Sequence, residues 1–300
     1  MKIIVFGGAG FIGKALLKKL IHAGHSVACA DNYITSKKSD LDSSGIKQFD
    51  VDITDKKALS SIDFAPDIVI HLAFPTSKCN RSPENQFEVI ASSGMLNVLN
   101  YTKYTCNRIV YASSISVYGI PKQTPINELN EVNPILIYGA NKFMNEQYIQ
   151  CYNKEFGTEY NIIRVSDTFG EFDKRSNAVN NFIKSYIHEQ PIRINGSGNQ
   201  IRTFTYVEDI AQAFLLAIEQ MNNTHYNVAS DYNTSINNLV DCLKLEFKKE
   251  ISKTYYHTVD DERNYIFDCL KFKNDFGNFE RVGFHEGLKR TVAHLQLTTA

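Results

Sequence analysis

A tyrosine and a lysine four residues apart, together with a serine earlier in the chain, form a set of side chains that can move protons. Tyr138 and Lys142 fall within a predicted helix at residues 137–156, so both lie on the same helical face. Ser114 follows a predicted strand at residues 108–112. A phenol has an unperturbed pKa of about 10, and lowering it by about three units needs roughly 4 kcal/mol, to which a nearby cation contributes. The set predicts a tyrosine that acts as general acid and base on a hydroxyl group, with the serine donating to the same oxygen.

The tyrosine and lysine alone are weak evidence, because this spacing often arises by chance in a surface pair. The start of the chain adds a second signal. Lys2 to Gly13 reads KIIVFGGAGFIG, a short apolar run followed by glycines three residues apart, and a helix with one apolar face is predicted from Lys14 to Ala23. Bare glycines between a strand and a helix N-terminus let a pyrophosphate approach the backbone. An ordinary turn is the alternative, but the strand and helix context favours a dinucleotide site.

An acidic residue refines the cofactor prediction. Asp31 ends a second predicted strand, 18 residues after Gly13, near the spacing expected for a carboxylate that binds the adenosine ribose. A carboxylate there accepts from a 2′-hydroxyl and repels a 2′-phosphate, which favours NAD over NADP. A turn at the strand end is the alternative reading, and Lys37 and Lys38 leave NADP open because they could reach a phosphate.

Strands and helices alternate through the first half of the chain, with further strands predicted at 46–51, 67–72 and 160–165 and a long helix at 84–103. This alternation predicts an α/β fold, a Rossmann-type doubly wound parallel sheet, with ligands at the carboxyl ends of the strands. The fourth strand brings His71 towards the cofactor crevice, whereas Asp55 can be explained as a helix cap. The residues expected to bind the cofactor are Gly7, Gly10, Phe11, Ile12, Gly13, Asp31, Asn32, Asp52, Ile53, Leu72, Ala73, Phe74, Tyr138 and Lys142.

Composition excludes several classes of partner. The net charge is −1 and no long basic run occurs, so nucleic acid is not an expected partner. The 6 cysteines form no C-x-x-C pair, which indicates a reduced, cytoplasmic protein. No apolar segment is long enough for a membrane span. The 8 histidines show no metal-ligand spacing, so no metal is expected.

The sequence also resembles the extended short-chain dehydrogenase/reductase family, particularly its NAD-dependent nucleotide-sugar epimerases, with similarity to UDP-galactose 4-epimerases. The segments that carry this resemblance are GGAGFIG from Gly7, DNYITSKKSDL from Asp31, Asp52-Ile53, HLA from His71, SSISVYG from Ser113, YGANK from Tyr138, GSGNQIRTFTYVEDIA from Gly196 and NVASDYNTSI from Asn227. The resemblance implies NAD as cofactor, a nucleotide-diphosphate sugar as substrate, and catalytic roles for Ser114, Tyr138 and Lys142. It also implies a homodimer formed through helices 84–103 and 137–156.

The resemblance further implies a smaller C-terminal α/β domain that binds the nucleotide sugar. Its expected residues are 171–205 with 231–300, beside an NAD-binding domain of residues 1–170 with 206–230. Two arginines are expected to hold the substrate diphosphate, as planar guanidinium groups do well. The substrate-binding candidates are Thr76, Ser114, Ser116, Tyr138, Asp167, Arg202 and Arg263.

The chain departs from the family pattern at several positions. Asp167, in RVSDTFG, stands where the family usually has Asn, and a carboxylate there would repel a diphosphate. Thr76 replaces a lysine of the galactose epimerases, and Ala91 an asparagine of many relatives. The 4,6-dehydratases carry an Asp-Glu pair where this chain has Ile115 and Ser116, so we expect no dehydration.

Two alternatives to an epimerase stay open. The same site could run in one direction, as an NAD(P)-dependent nucleotide 4-ketosugar reductase or dehydrogenase. A non-catalytic dinucleotide-binding regulator is the second alternative, although the presence of both Tyr138 and Lys142 argues against it.

Overall fold

The computed structural model describes residues 1–41, 46–74, 89–256 and 263–299. Thr76, a predicted substrate-binding residue, lies outside the described residues, as do Cys79 and the first part of the predicted helix 84–103.

Thirteen strands occur in the described part of the chain: β1 Lys2–Phe6, β2 Ser26–Asp31, β3 Ile46–Asp50, β4 Ile68–His71, β5 Arg108–Ser114, β6 Glu159–Val165, β7 Asp167–Phe169, β8 Ile192–Asn195, β9 Ile201–Arg202, β10 Phe204–Tyr206, β11 Thr224–Val228, β12 Thr234–Ser235 and β13 Lys253–Tyr256. The α-helices are α1 Phe11–His22, α2 Lys56–Ser60, α3 Met95–Thr105, α4 Ile137–Phe156, α5 Ala178–Ile187, α6 Val207–Ala217, α7 Ile236–Phe247, α8 Leu270–Phe276 and α9 Phe284–Thr299.

Seven strands form one parallel sheet in the order β11-β6-β5-β4-β1-β2-β3. The chain starts at the centre and winds outward in both directions, so the carboxyl ends of β1 and β4 border a crevice where the winding reverses. The predicted doubly wound parallel sheet is confirmed.

The burial of β1 shows why this strand is apolar throughout. Ile3 and Val5 pack into the core on one face of the sheet, with α1 and α6, whereas Ile4 and Phe6 pack into the core on the other, with α3. All four are 0% exposed. A central parallel strand covered by helices on both faces requires a continuous apolar run rather than an alternating one.

A further core lies beyond this sheet. It joins β7, β8 and β10 to α5, α7 and α9 through residues such as Phe182, Phe204, Leu239 and Phe284. The three short two-stranded sheets, β10-β7, β12-β9 and β13-β8, border this core.

Some element boundaries differ from those predicted. Helix α1 begins at Phe11 rather than Lys14, because the chain enters the helix directly from Gly10. Strand β5 continues through Ser113 and Ser114, which pair with Arg164 and Val165 of β6. The described part of the predicted helix 84–103 begins with a π-helical turn, Ile90–Gly94, before α3.

No helix in the described ranges is long and apolar enough to cross a membrane. The five cysteines that the structure describes are free thiols, namely Cys29, Cys106, Cys151, Cys242 and Cys269.

Candidate active site

The predicted serine and tyrosine come together at the carboxyl edge of the sheet. Ser114 is the last residue of β5, and its hydroxyl accepts from the Ser116 N–H and donates to Ser116 Oγ, both at 3.1 Å. Tyr138 lies in the first turn of α4. The next residue, Gly139, lets this turn approach the backbone of Ser116, because a Cβ at Gly139 would collide with the Ser116 carbonyl. The Ser114 hydroxyl interacts with the phenol and lowers its pKa.

Lys142 is buried beneath this pair rather than directed at the phenol. Its Nζ donates to the Ala112 carbonyl at 2.6 Å and lies 4.0 Å from the Phe74 ring centroid. Burial lowers the pKa of Lys142 to about 7, although the Glu146 charge acts in the opposite direction. The Lys142 Nζ also lies 5.8 Å from the Tyr138 ring centroid. An effect of Lys142 on the pKa of Tyr138 stays a prediction, since the groups that oppose burial at Tyr138 are Ser114 and Arg175.

Burial raises the pKa of Tyr138, and two groups of the chain oppose this effect, the Ser114 hydroxyl and the Arg175 guanidinium. Arg175 forms a two-point ion pair with Asp173, donates to the Thr168 carbonyl at 2.7 Å, and stacks 4.9 Å above the Phe11 ring. The sequence reasoning missed Arg175, because its position follows β7 and carries no motif signal.

A buried polar network joins the helix and the two strands that carry the site residues. Glu146 is 0% exposed and accepts from the Ser113 hydroxyl at 2.5 Å and from Arg164 at 3.0 and 2.7 Å. Arg164 also donates to the Tyr118 hydroxyl. This network, also missed, ties α4 to β5 and β6. The spacing of Glu146, four residues after Lys142 on the same helix, is the signal that could have found it.

The glycine loop fits a dinucleotide. Gly7 has φ of +79°, and a Cβ there would lie 2.5 Å from the Ala73 nitrogen, so only glycine fits. Among the described residues, a Cβ at Gly10 would meet the Gly7 carbonyl oxygen at 3.2 Å. Gly10, the N-cap of α1, has no side chain to cap the helix, so within the described ranges the first N–H groups at Phe11, Ile12 and Gly13 can bind a pyrophosphate.

Asp31 is fixed beside this loop. Its carboxylate accepts from the Ala9 N–H at 3.0 Å and the Tyr33 N–H at 2.9 Å. Burial raises its pKa, and these two N–H donors lower it. Lys38 is paired with Asp50 at 3.1 Å instead of lying against Asp31. The arrangement suits a ribose with free hydroxyls.

Asn32 and Asp52 meet at the end of β2 and β3, where the Asn32 amide donates to Asp52 at 3.2 Å. Ile53 is buried beneath Gly94 of the π-helical turn, where a Cβ would lie 2.8 Å from the isoleucine side chain. Asp55 caps α2 through the N–H groups of Lys57 and Ala58, which is the structural role weighed for it.

The segment after β4 borders the crevice. Leu72 and Ala73 donate their N–H groups to the Phe6 carbonyl, and the Phe74 ring packs edge-on against Tyr138 at 5.4 Å. His71 differs from its prediction, because it is 1% exposed and packs between Phe6 and Tyr111. Burial lowers its pKa to about 3, so it stays neutral.

The two predicted diphosphate arginines are neighbours in the structure. Arg202, on β9, donates to the Arg263 carbonyl and to its own neighbour Ile201, and lies 4.9 Å from the Tyr265 ring. The Asn264 side-chain oxygen accepts from the Ile201 N–H at 2.8 Å, and the Tyr265 N–H donates to the Ile201 carbonyl at 2.9 Å. Asp167 begins β7, and solvent reaches its side chain in the open site. The protein atoms that surround the carboxyl raise its pKa, and the charges of Arg202 and Arg175 oppose this shift.

Within the described ranges, no group of three or more His, Cys, Asp and Glu residues could hold a metal. The fold and the site define a dinucleotide-dependent enzyme of the extended short-chain dehydrogenase type.

Comparison with known proteins agrees with this class. The model of the NAD dependent epimerase/dehydratase family matches residues 3–229, and the chain belongs to that family. A Methanocaldococcus jannaschii protein named as a candidate UDP-glucose 4-epimerase is 34% identical over 297 residues, covering 97% of each chain. The UDP-glucose 4-epimerase of Thermotoga maritima, solved with UDP-glucose, superimposes with a TM-score of 0.90, at 28% identity and 100% coverage of both chains.

The UDP-glucuronic acid 4-epimerase of Bacillus cereus, solved with UDP-glucuronic acid and NAD, gives a TM-score of 0.87 at 25% identity, covering 99% of this chain and 100% of that one. The predicted NAD cofactor and the predicted class, an NAD-dependent nucleotide-sugar epimerase of the extended short-chain dehydrogenase family, are confirmed.

Proposed function

We propose that this protein inverts the C4 centre of a nucleotide-diphosphate hexose. The observation that carries the proposal is the placement of Ser114, at the end of β5, and Tyr138, in the first turn of α4, at the edge of the sheet that also bears the glycine loop. NAD, when bound, supplies the hydride acceptor for a transient oxidation of the sugar. Gly7, Gly10, Phe11, Ile12, Gly13 and Asp31 would hold it, on the fit of the loop and carboxylate described above.

In this proposal, Tyr138 and Ser114 have different roles in the proton transfer. Tyr138 removes the proton of the 4-hydroxyl and returns one to the same oxygen, while Ser114 donates a hydrogen bond to that oxygen. Lys142 donates to the Ala112 carbonyl and contacts the Phe74 ring, and so links α4 to β5 and to the segment after β4. The site lacks an acidic pair beside Ser114, since Ile115 and Ser116 cannot move a second proton, so water is not eliminated.

Arg202 and Arg263 are proposed to bind the substrate diphosphate. Their adjacency supports this role, because the Arg202 guanidinium lies against the backbone of Arg263, and two arginines from separate segments can bind one anion. We also propose the predicted division into residues 1–170 with 206–230 and 171–205 with 231–300, for which the separate core around Phe182 and Leu239 is the support. A homodimer through α3 and α4 is proposed from the resemblance, and sedimentation velocity at micromolar concentration tests it.

A single preparation tests the proposed reaction. The purified protein is denatured, the released cofactor is identified by absorbance and mass spectrometry, and intact protein is assayed against UDP-glucose, UDP-galactose and their N-acetyl forms. We expect bound NAD and interconversion of C4 epimers without added cofactor. Apo protein with turnover proportional to added NAD(P)H would indicate a one-way reductase. Bound NAD with no turnover of any nucleotide sugar would indicate a regulator.

A further inference from the structure

Asp167 is placed where a side chain can face the sugar. It is the first residue of β7 and follows the carboxyl end of β6, with its backbone in register with Phe204 of β10. Its neighbours Ser166 and Thr168 are buried, at 6% and 5% exposure, whereas the Asp167 side chain is exposed. The alternation of a strand therefore directs the Asp167 side chain away from the core, next to the carboxyl end of β6.

The carboxylate has no partner that would neutralise it directly. Within the part of the chain that the structure describes, the side-chain carboxylate of Asp167 takes part in no hydrogen bond or ion pair, although its backbone belongs to the β7–β10 pair. The two cations in its surroundings are engaged elsewhere, since Arg175 pairs with Asp173 and Arg202 donates to backbone carbonyls. Both act on Asp167 only through their charge.

The charge of Asp167 also reaches the reacting centre. It is one of the groups that raise the pKa of Tyr138, so its carboxylate lies within electrostatic range of the phenol. A sugar whose hydroxyl contacts Tyr138 therefore brings its ring substituents into the same region. A second carboxylate on that ring would meet Asp167 at short range, where like charges repel.

We propose that Asp167 determines specificity, disfavouring nucleotide sugars that carry a ring carboxylate and leaving neutral hexoses as the substrate class. This inference rests on the proposed function and deepens it. It separates the chain from the Bacillus cereus relative, which was solved with UDP-glucuronic acid. Discrimination of this kind arises from repulsion of the wrong ligand rather than from added contacts to the right one.

The test compares kcat/KM for UDP-glucose and UDP-glucuronic acid, with the epimeric products separated by anion-exchange chromatography. We expect the wild type to favour UDP-glucose at least tenfold. Asp167→Asn, which keeps the shape and removes the charge, should raise the uronate-to-hexose ratio at least tenfold. Asp167→Glu should retain the discrimination. Asp63→Asn is the matched control, since it removes an equal charge from a fully exposed side chain and should leave the ratio unchanged.

Each variant is first checked for bound NAD and for its thermal midpoint, so that misfolding is recognised. An unchanged ratio in folded Asp167→Asn, or a wild type that uses both substrates equally, overturns the proposal. Calorimetric binding of the same two nucleotide sugars gives the ratio independently of turnover. If the wild type binds UDP-glucose more tightly but turns over neither, the charge discrimination stands while the proposed function fails. Equal binding overturns the discrimination itself.

Discussion

Replacing Lys142 with methionine should stabilise the fold while it damages the active site. Lys142 is 3% exposed, and the Ala112 carbonyl, nearby aromatic rings and the charge of Glu146 compensate its ammonium group only in part. Methionine has a similar unbranched shape and no charge to desolvate. We therefore expect Lys142→Met to raise the free energy of unfolding at neutral pH, the opposite of the usual effect of a core substitution.

The size of the expected gain in the free energy of unfolding follows from the lowered pKa of Lys142. Burial lowers the pKa of Lys142 from 10.5 to about 7, a difference that corresponds to about 5 kcal/mol. Because the folded pKa is the lower one, the unfolded chain binds more protons between pH 7 and 10.5, and the free energy of unfolding rises with pH across that window. The penalty is nearly complete at pH 7 and falls to about 2 kcal/mol at pH 9. Loss of the bond to Ala112 offsets about 1–3 kcal/mol, which leaves a net gain of roughly 2–4 kcal/mol at pH 7.

Urea unfolding of the cofactor-stripped protein, followed by circular dichroism at pH 7, 8 and 9, measures this gain. The difference between Lys142→Met and the wild type should shrink as the pH rises. Lys154→Met on the same helix is the control, because Lys154 is exposed and should show no such trend. A difference that is independent of pH, or a destabilised Lys142→Met at pH 7, would refute the assignment of a strongly lowered lysine pKa.

Three other substitutions test the remaining roles. Tyr138→Phe should fold, bind NAD and lose more than about 90% of kcat, since it removes only the proton-transfer group; a larger residual rate in steady-state assays would exclude Tyr138 as the acid and base. Asp31→Ala should weaken NAD and relatively improve NADP, because the ribose acceptor and the charge that repels a 2′-phosphate are both lost; fluorescence titration with each cofactor decides, and an unchanged ratio argues against the assignment. Arg202→Ala should raise KM for the nucleotide sugar with little change in NAD affinity, whereas equal losses for both ligands would indicate a folding defect.

Local sequence patterns were sufficient to predict the cofactor side of the site. The glycine loop and Asp31 lie on consecutive elements, β1, α1 and β2, whose register brings the end of one strand beside the turn of the other. Steric requirements at Gly7, and the missing cap at Gly10, are properties of the turn itself. Such features depend little on the rest of the fold, so they can be predicted from one sequence.

The electrostatics of Tyr138 could not be predicted in the same way. The helical spacing of Lys142 fixes a face but not where a long flexible side chain ends, and Nζ reaches a carbonyl of β5. Arg175 approaches the tyrosine only because β7 pairs with β10 and its guanidinium is fixed by Asp173 and the Thr168 carbonyl. These are tertiary contacts between segments distant in sequence, for which residue type and spacing give no signal.

Two oppositely charged residues of one segment act on the pKa of Tyr138, and one of them, Asp167, is the residue that we propose selects the substrate. Arg175 lowers the pKa of Tyr138 and Asp167 raises it. We expect Arg175→Gln to move the apparent pKa of the pH–rate profile upward and Asp167→Asn to move it downward, because the two substitutions remove opposite charges from the same phenol. Profiles of kcat for UDP-glucose between pH 5.5 and about 10 measure both shifts, with Asp63→Asn unchanged. Shifts of the same sign, or none, would mean that the segment binds substrate without tuning the tyrosine. Opposite shifts would mean that a specificity change at residue 167 also changes the pH at which the enzyme works.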